Sequence, residues 1–377
     1  MTVRTKPLRT AVVGAGGIAQ GQHLPGLRGL GDRVDIAAIV DMDADRAREV
    51  ALEWGAPHSG SSIAGMLEEV QPDLVVVCTP PGSHTDAVIR SLDAGASVWC
   101  EKPPTLSLAE YDAILEHEAD NGPFASYVFQ HRFGSAARTL RTQIAAGDLG
   151  APLVGICHTL WYRDAAYYDV AWRGKWETEG GGPAMGHGIH QMDLLLSLLG
   201  NWTEINATMS TLHHNVETED VSFAHVTFES GAIVSVVNSV LSPRETSYLR
   251  FDFADATVEV EHLYGYDNSH WKWTPAPHVD AGTVSSWAPT QNLASSHAVQ
   301  LEELVSSLER GERPAASGHD GRRVLELVAG LYQSAITGRR VKRSELTRDN
   351  PFYWSMNGVT DGSEHGGSAN VKETVGA

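Results

Sequence analysis

The sequence predicts an α/β chain: an N-terminal parallel, doubly wound sheet, then a C-terminal α/β domain whose sheet is mostly antiparallel. Three observations predict it. Residues 8 to about 125 alternate apolar strand-like runs with helical stretches, the pattern of a parallel sheet covered on both faces. The first strand empties into a glycine-rich turn that opens a helix. Beyond residue 200, strands follow one another across short turns, as antiparallel strands do. The length, 377 residues, also favours two domains.

The elements follow in order. Val34 to Val40 reads as a buried strand, with a helix beginning near Ala44. Asp73-Leu74-Val75-Val76-Val77-Cys78 is a near-continuous apolar run, as a strand buried on both faces should be. A helix is expected from about Ser83 to Ala94, a strand from Ser97 to Cys100, a helix from Ser107 to Asp120 and a strand from Phe124 to Phe129. Then come a helix from Ser135 to Ala146 and a strand from Pro152 to Trp161. An irregular segment rich in Trp, Tyr and Arg leads to Gly180-Gly181-Gly182 and one helix from Ala184 to Leu199. Strands are expected near 203–213, 220–229, 232–241, 246–253 and 257–262, with Gly231 at one tight turn. Residues 296–310 and 320–336 read as helices. The expected domains are 1–125, 126–346 and an extension, 347–377. The Gly/Ser-rich stretch from about Gly358 is expected to be a disordered tail.

The glycine turn reads Val13-Gly14-Ala15-Gly16-Gly17-Ile18-Ala19, of the form G-x-G-x-x-A. Gly14 permits the tight turn, Gly16 lets a pyrophosphate approach the backbone, and Ala19 lets the helix pack closely on the sheet. Gly17 and Ile18 open that helix, whose free N–H groups and dipole would face the phosphates. Alone, the motif could be a plain turn. An acidic residue at the end of the next strand supports a dinucleotide site. Asp41 stands there, where it can accept from the adenosine ribose hydroxyls and repel a 2′-phosphate. No Arg follows directly, so NAD is favoured over NADP. The alternative is that Asp41 merely caps the next helix.

Composition excludes other classes. The net charge of −19 argues against nucleic acid or an anionic membrane as partners, though one local basic patch could still hold a small anion. No apolar run reaches the ~20 residues of a membrane span. No signal peptide is expected, so the expected location is cytoplasmic. Cys78, Cys100 and Cys157 are expected to be free, buried thiols, with no zinc site.

Two further motifs give the chain a family resemblance. Thr79-Pro80-Pro81-Gly82-Ser83-His84 follows the third long apolar strand, and Glu101-Lys102-Pro103 follows the next. With the glycine turn and a later Gly-Gly-Gly…Gly-x-His-x-x-Asp segment, the chain over about residues 8–345 resembles the Gfo/Idh/MocA family of sugar and polyol oxidoreductases. The resemblance implies an N-terminal Rossmann domain and an open C-terminal sheet that often builds a homodimer or homotetramer. It places the active site between the domains, at the carboxyl ends of the Rossmann strands. It also implies that the final helices can pack back on the Rossmann domain. Thr79, Pro80 and His84 would line the ribose and pyrophosphate side of NAD. Glu101 would contact the nicotinamide ribose, Lys102 would reach both nicotinamide and substrate hydroxyl, and Gln130 would face the nicotinamide side.

The helix after the triple glycine should carry the chemistry. At ~100° per residue, Gly186, His190 and Asp193 share one face. Family members commonly carry an aspartate where this chain has Gly186, followed here by His187. That departure leaves the acid/base open among His190, Lys102 and, through a water, His187. His187, His190 and Asp193 spread too far around a helix to hold a metal tightly, and none is expected.

The segment between Trp161 and Trp176 should meet substrate. Trp161, Trp172 and neighbouring tyrosines offer faces to a sugar ring, and Arg163 and Arg173 offer forks to an acidic group. Asp193 is expected on the same side. The leading expectation is an NAD-dependent dehydrogenase of a sugar, polyol or glycoside, neutral or bearing an anionic group. One alternative is an NAD-dependent glycosidase that oxidises C3 transiently, eliminates the aglycone, adds water and returns the hydride. Another is a non-catalytic NAD-binding regulator.

Overall fold

The computed structural model describes residues 6–360. Residues 1–5 and 361–377, including most of the expected tail, lie outside the described residues. Six parallel strands form the first sheet: β1 (Leu8–Val13), β2 (Val34–Val40), β3 (His58–Gly60), β4 (Leu74–Val77), β5 (Ser97–Cys100) and β6 (Ala125–Tyr127). Their order is β3-β2-β1-β4-β5-β6, so the chain reverses direction across the sheet between β1 and β4. Ligands of such sheets bind in the crevice at that switch point. β4, Leu-Val-Val-Val, is buried on both faces, as its β-branched run requires. β3 is exposed and only three residues long, which is why no apolar pattern announced it. β6 completes this sheet, so the sheet runs past the boundary expected at residue 125.

The second sheet has eight strands: β7 (Pro152–Tyr162), β8 (Trp202–Ser210), β9 (Val221–Phe228), β10 (Ile233–Ser239), β11 (Leu241–Phe253), β12 (Ala256–Glu261), β13 (Trp271–Pro275) and β14 (Val341–Lys342). The order is β13-β12-β11-β7-β10-β9-β8-β14. All pairs are antiparallel except β7 with β10. Its inner face and the helices Ile189–Leu199 and Gly318–Thr337 share one continuous core with a face of the Rossmann sheet. On the other Rossmann face, Leu301, Leu304 and Val305 of helix His297–Glu309 pack with Val12, Ile39 and Val76. That late helix thus returns to the first domain and brings His297 to the carboxyl ends of its strands.

Ahead of the expected tail, helix Pro351–Trp354 buries Phe352 and Tyr353, and the Tyr353 hydroxyl donates to Asp112 Oδ2 at 2.8 Å. One expectation needs correction. The helix expected from Ala184 to Leu199 is two pieces, Pro183–Gly186 and Ile189–Leu199, broken at His187 and Gly188. The break has a packing cause. Gly188 lies so close to β10 that a Cβ there would stand 1.7 Å from Asn238 Oδ1, so the chain departs from the helical path to pass it.

Candidate active site

A cleft of about 410 Å³ lies between the domains, lined by Ile18, Glu101, Lys102, Trp161, Arg163, His190, Glu245, Tyr264 and His297, among others. One wall is built by the Rossmann turns. Gly14 has φ +94°, and a Cβ on it would sit 2.8 Å from the Cys78 carbonyl. Gly16 and Gly17 instead face open space, with nothing within 4 Å of a Cβ. The backbone is therefore bare where a pyrophosphate would lie. The helix that follows is wound wide, as a π-helix, over Ala19–His23, a form found mostly at functional sites.

Asp41 accepts from the Ala15 N–H at 2.8 Å and the Asp43 N–H at 2.9 Å. It is not the helix cap; Asp43 fills that role, accepting from Asp45 and Arg46. Asp41 is thus left beside the glycine turn with carboxylate lone pairs to spare. Buried Thr79 Oγ1 and Gln130 Oε1 have no hydrogen-bond partner, and a buried polar group without one is costly unless a ligand satisfies it. The bare glycine backbone, the ribose-side carboxylate and these two orphaned atoms fit a dinucleotide. Pro80 is exposed beside them.

His84 departs from expectation. It is fully buried, its Nδ1 2.9 Å from Pro103 O and its Nε2 2.9 Å from Thr79 O. It lines no cofactor surface; it ties the turn after β4 to the turn after β5. Glu101 is likewise clamped, with Oε1 2.7 Å from His23 Nε2 and 3.3 Å from His297 Nε2. Burial opposes its charge, but the two imidazole hydrogen bonds outweigh this and hold the carboxyl well below the usual range. Their ligating atoms lie within 4.8 Å of one another. A 2.7 Å contact is hydrogen-bond distance, so the trio reads as a hydrogen-bonded clamp.

The opposite wall starts from the broken helix. In an unbroken helix the Gly186 carbonyl would accept from the His190 N–H. Here that N–H turns to His187 O, and Gly186 O accepts from Lys102 Nζ at 2.8 Å. The break thus creates the seat for the lysine. Burial pushes the Lys102 amine below its ordinary value; Glu101 and Glu179 pull it back, while Arg173 and Arg163 add to the depression. His190 faces the cleft among His131 and Tyr264. Burial, with Lys102 and His131 beside it, holds its imidazole far below the usual range, hence neutral.

The remaining predicted residues separate. Trp161 and Arg163 line the cleft. His187 lies behind them: buried, edge-on to Trp161, it accepts from Arg163 Nε at 3.2 Å. Burial and the charges of Lys102, Arg163 and Arg173 keep it neutral. Arg173 stands off the cleft, stacked on Tyr167 and Trp172 and 3.6 Å from Glu179. Asp193, expected to meet substrate, does not: it is fully buried in a two-pronged ion pair with Arg132, Oδ2 taking Nε at 2.5 Å. Sequence reasoning missed His23, Glu179, Glu245, Tyr264 and His297. His23, nine residues after Gly14, and Glu179, next to the triple glycine, sit beside motifs; the other three reach the cleft only through tertiary folding.

Comparison with known proteins agrees with this geometry. Residues 8–129 match the oxidoreductase family with an NAD-binding Rossmann fold, and residues 137–261 match the Gfo/Idh/MocA C-terminal domain. The chain is 28% identical to the D-glucoside 3-dehydrogenase of Escherichia coli over 363 residues, 90% of this chain and 98% of that protein. It is 27% identical to the D-apiose dehydrogenase of Paraburkholderia graminis, covering 94% of each. The WlbA dehydrogenase of Bordetella pertussis, solved with NADH and UDP-GlcNAcA, superposes with a TM-score of 0.79 at 26% identity, over 89% of this chain and 99% of that one. The chain belongs to the Gfo/Idh/MocA family of oxidoreductases and carries its NAD-binding Rossmann domain.

Proposed function

We propose that this protein oxidises a secondary hydroxyl of a sugar or glycoside, using NAD, with Lys102 as the proton acceptor. The observation that carries this is the Lys102 amine, half-buried, seated on Gly186 O at 2.8 Å and opening onto a cleft shared with the glycine-turn wall. Bound NAD supplies the two-electron acceptor. Gly14, Gly16, Gly17, Ile18, Asp41 and Thr79 would hold its adenosine, ribose and pyrophosphate side, and Glu101 and Gln130 its nicotinamide half. One Lys102 N–H is spent on Gly186, so the lone pair of the neutral amine is free for the substrate O–H. The ammonium formed then stabilises developing alkoxide charge. His190, neutral, hydrogen-bonds and orients the same hydroxyl. Trp161 offers a ring face to the sugar, and Arg163, with Nε on His187 and NH1 on Tyr162 O and Glu245 Oε1, offers its other amino group to an anionic substituent. The relative solved with UDP-GlcNAcA, a sugar acid, supports that anionic reading.

Incubation with NAD and a panel of neutral and acidic sugars and glycosides tests it, following NADH and aglycone together. Stoichiometric NADH is expected. Aglycone without net NADH would replace this reading with a redox-neutral glycosidase, and tight NAD binding with neither product would indicate a regulator. Arg163→Ala should lose rate on acidic substrates more than on neutral ones; equal losses would remove the anionic handle.

A second copy of the chain is the expected partner. The outer face of the second sheet carries exposed Val154, Phe223 and Ile233, with Ile233 paired to Val154 across β10 and β7. Light scattering of the purified protein checks this, and Phe223→Asp should shift any oligomer toward monomer.

A further inference from the structure

We infer that Glu179 is the tuning carboxylate of this active site, reaching from seven residues upstream into the gap beside Gly186, whose carbonyl seats Lys102. The inference rests on the Lys102 reading above.

Three observations converge on Gly186. Its carbonyl is the seat of Lys102 Nζ. A Cβ built on it would have one neighbour within 4 Å, Glu179 Oε1 at 3.4 Å. Glu179 itself is buried, 5% exposed, and its two oxygens have different tasks. Oε2 takes the Gly174 N–H at 2.6 Å, which anchors the side chain. Oε1 faces Arg173 NH1 at 3.6 Å and the empty side of Gly186. A glycine at 186 is therefore what leaves room for a carboxylate delivered from elsewhere. The delivery is local in structure: helix Trp176–Glu179 stops at Gly180, φ +78°, which turns the chain so that Glu179 lies against the following helix.

A buried carboxylate near a half-buried amine has a defined chemical effect. When the hydroxyl O–H bond breaks and its proton joins Lys102 Nζ, a positive charge forms inside the protein. Two positive groups, Arg163 and Arg173, oppose that charge, and Glu179 with Glu101 favours it. Glu101 is already committed to its two histidines. His187 and His190, the other titratable groups facing Lys102, are held neutral. Glu101, held anionic by His23 and His297, is the stronger of the two, and Glu179 adds a second buried negative charge on the Gly186 side, with Arg173 as its own counter-ion. It touches no cleft surface, so its role is to tune.

The test is the basicity of Lys102 with and without that charge, read as the pH midpoint of acylation of Lys102 by mass spectrometry, and as the acid limb of kcat/KM. Glu179→Gln should move both midpoints down by about one pH unit, the scale of one buried neighbouring charge, and lower kcat with little change in KM. Gly186→Asp in the same chain should restore both, because it returns a carboxylate to the same gap. A folded Glu179→Gln protein with unmoved midpoints would overturn the inference and leave Glu179 a brace for Gly174. If Glu179→Gln does not fold, Gly186→Asp alone adds a second carboxylate and must raise the acylation midpoint; an unmoved midpoint overturns the inference equally. Acylation needs no substrate. A wild type that oxidises no sugar, yet whose Lys102 midpoint responds to Glu179, would sink the proposed function and keep this inference.

Discussion

The two walls of the cleft are built by opposite means. The cofactor wall is made largely of backbone: a glycine turn, the ends of parallel strands, and Asp41 hydrogen-bonded to the turn it faces. The catalytic wall is made of side chains drawn together from distant sequence: Lys102 on Gly186, Arg163 on His187, Glu179 against Gly186, Tyr264 and His297 from late segments. A backbone wall needs few residue types at fixed local spacing. A side-chain wall tolerates relocation of a charged group, provided it returns to the same point in space. The comparison teaches where this chain can vary: its NAD-binding turns are bound by local sterics, and its proton chemistry is bound only by geometry.

Lys102→Ala breaks the comparison most severely if it is wrong. With separable walls, kcat/KM for the sugar should fall on the order of 10³-fold, within the span of general acid–base catalysis, while NAD affinity by calorimetry stays near wild type. Comparable losses in both would mean that Lys102 belongs to the cofactor wall as much as to the chemistry.

Glu219→Gln probes how the catalytic wall is held. Glu219 accepts from the Gly182 and Ala184 N–H groups and from the Tyr332 hydroxyl, and so fixes the start of the broken helix. Burial raises its carboxyl to about 7. The folded state then keeps a proton that the unfolded chain has released above about pH 4.3. Wild-type stability should therefore be full below that pH and fall as pH rises toward 7, by about 3 kcal/mol. Glu219→Gln should flatten this segment in urea unfolding run at several pH values. A parallel slope in both proteins would remove buried charge from the account of this wall.

Gly14→Ala is the matching test of the cofactor wall. The added Cβ meets the Cys78 carbonyl at 2.8 Å in a φ that favours glycine, a strain of about 2 kcal/mol. Melting temperature and NAD affinity should fall together, with the sugar KM unaffected at saturating NAD.

The same contrast explains what was legible in the sequence. Gly14, Asp41, Thr79 and Lys102 could be placed because each sits at the end of an apolar strand, where local pattern fixes position. The parallel character of the first sheet followed from alternation, whereas its strand order came only with the structure. The helix break could not be read, since its cause is Asn238, fifty residues away on β10. Asp193 does follow His190 on one helix, but Arg132, from the turn after β6, claims it. His84 was legible as a motif residue but not as a bridge between two carbonyls, because Pro103 lies in the turn after the next strand. β3, β13 and β14 are short or exposed strands, whose pairing is set by the sheet they join more than by their own pattern.

Asp41→Asn carries the smallest expected effect and sharpens the cofactor side. Asp41 is a hydrogen-bond acceptor for the ribose and a like charge for a 2′-phosphate, and Arg46 NH1 stands 3.7 Å from its Oδ1. Asparagine keeps one acceptor oxygen and removes the charge, which leaves Arg46 free to meet a phosphate. The NAD-over-NADP ratio of kcat/KM should fall about tenfold, or about 1.4 kcal/mol, with the sugar profile unchanged. The direction is set by two additive terms, since NAD loses a charged acceptor while NADP loses a repulsion. An unchanged ratio would mean that the ribose is read elsewhere and that the cofactor wall, too, draws on side chains from beyond its own turns. A changed ratio with an altered sugar KM would mean that the two walls communicate, and the division on which the other variants are interpreted would have to be redrawn at Lys102.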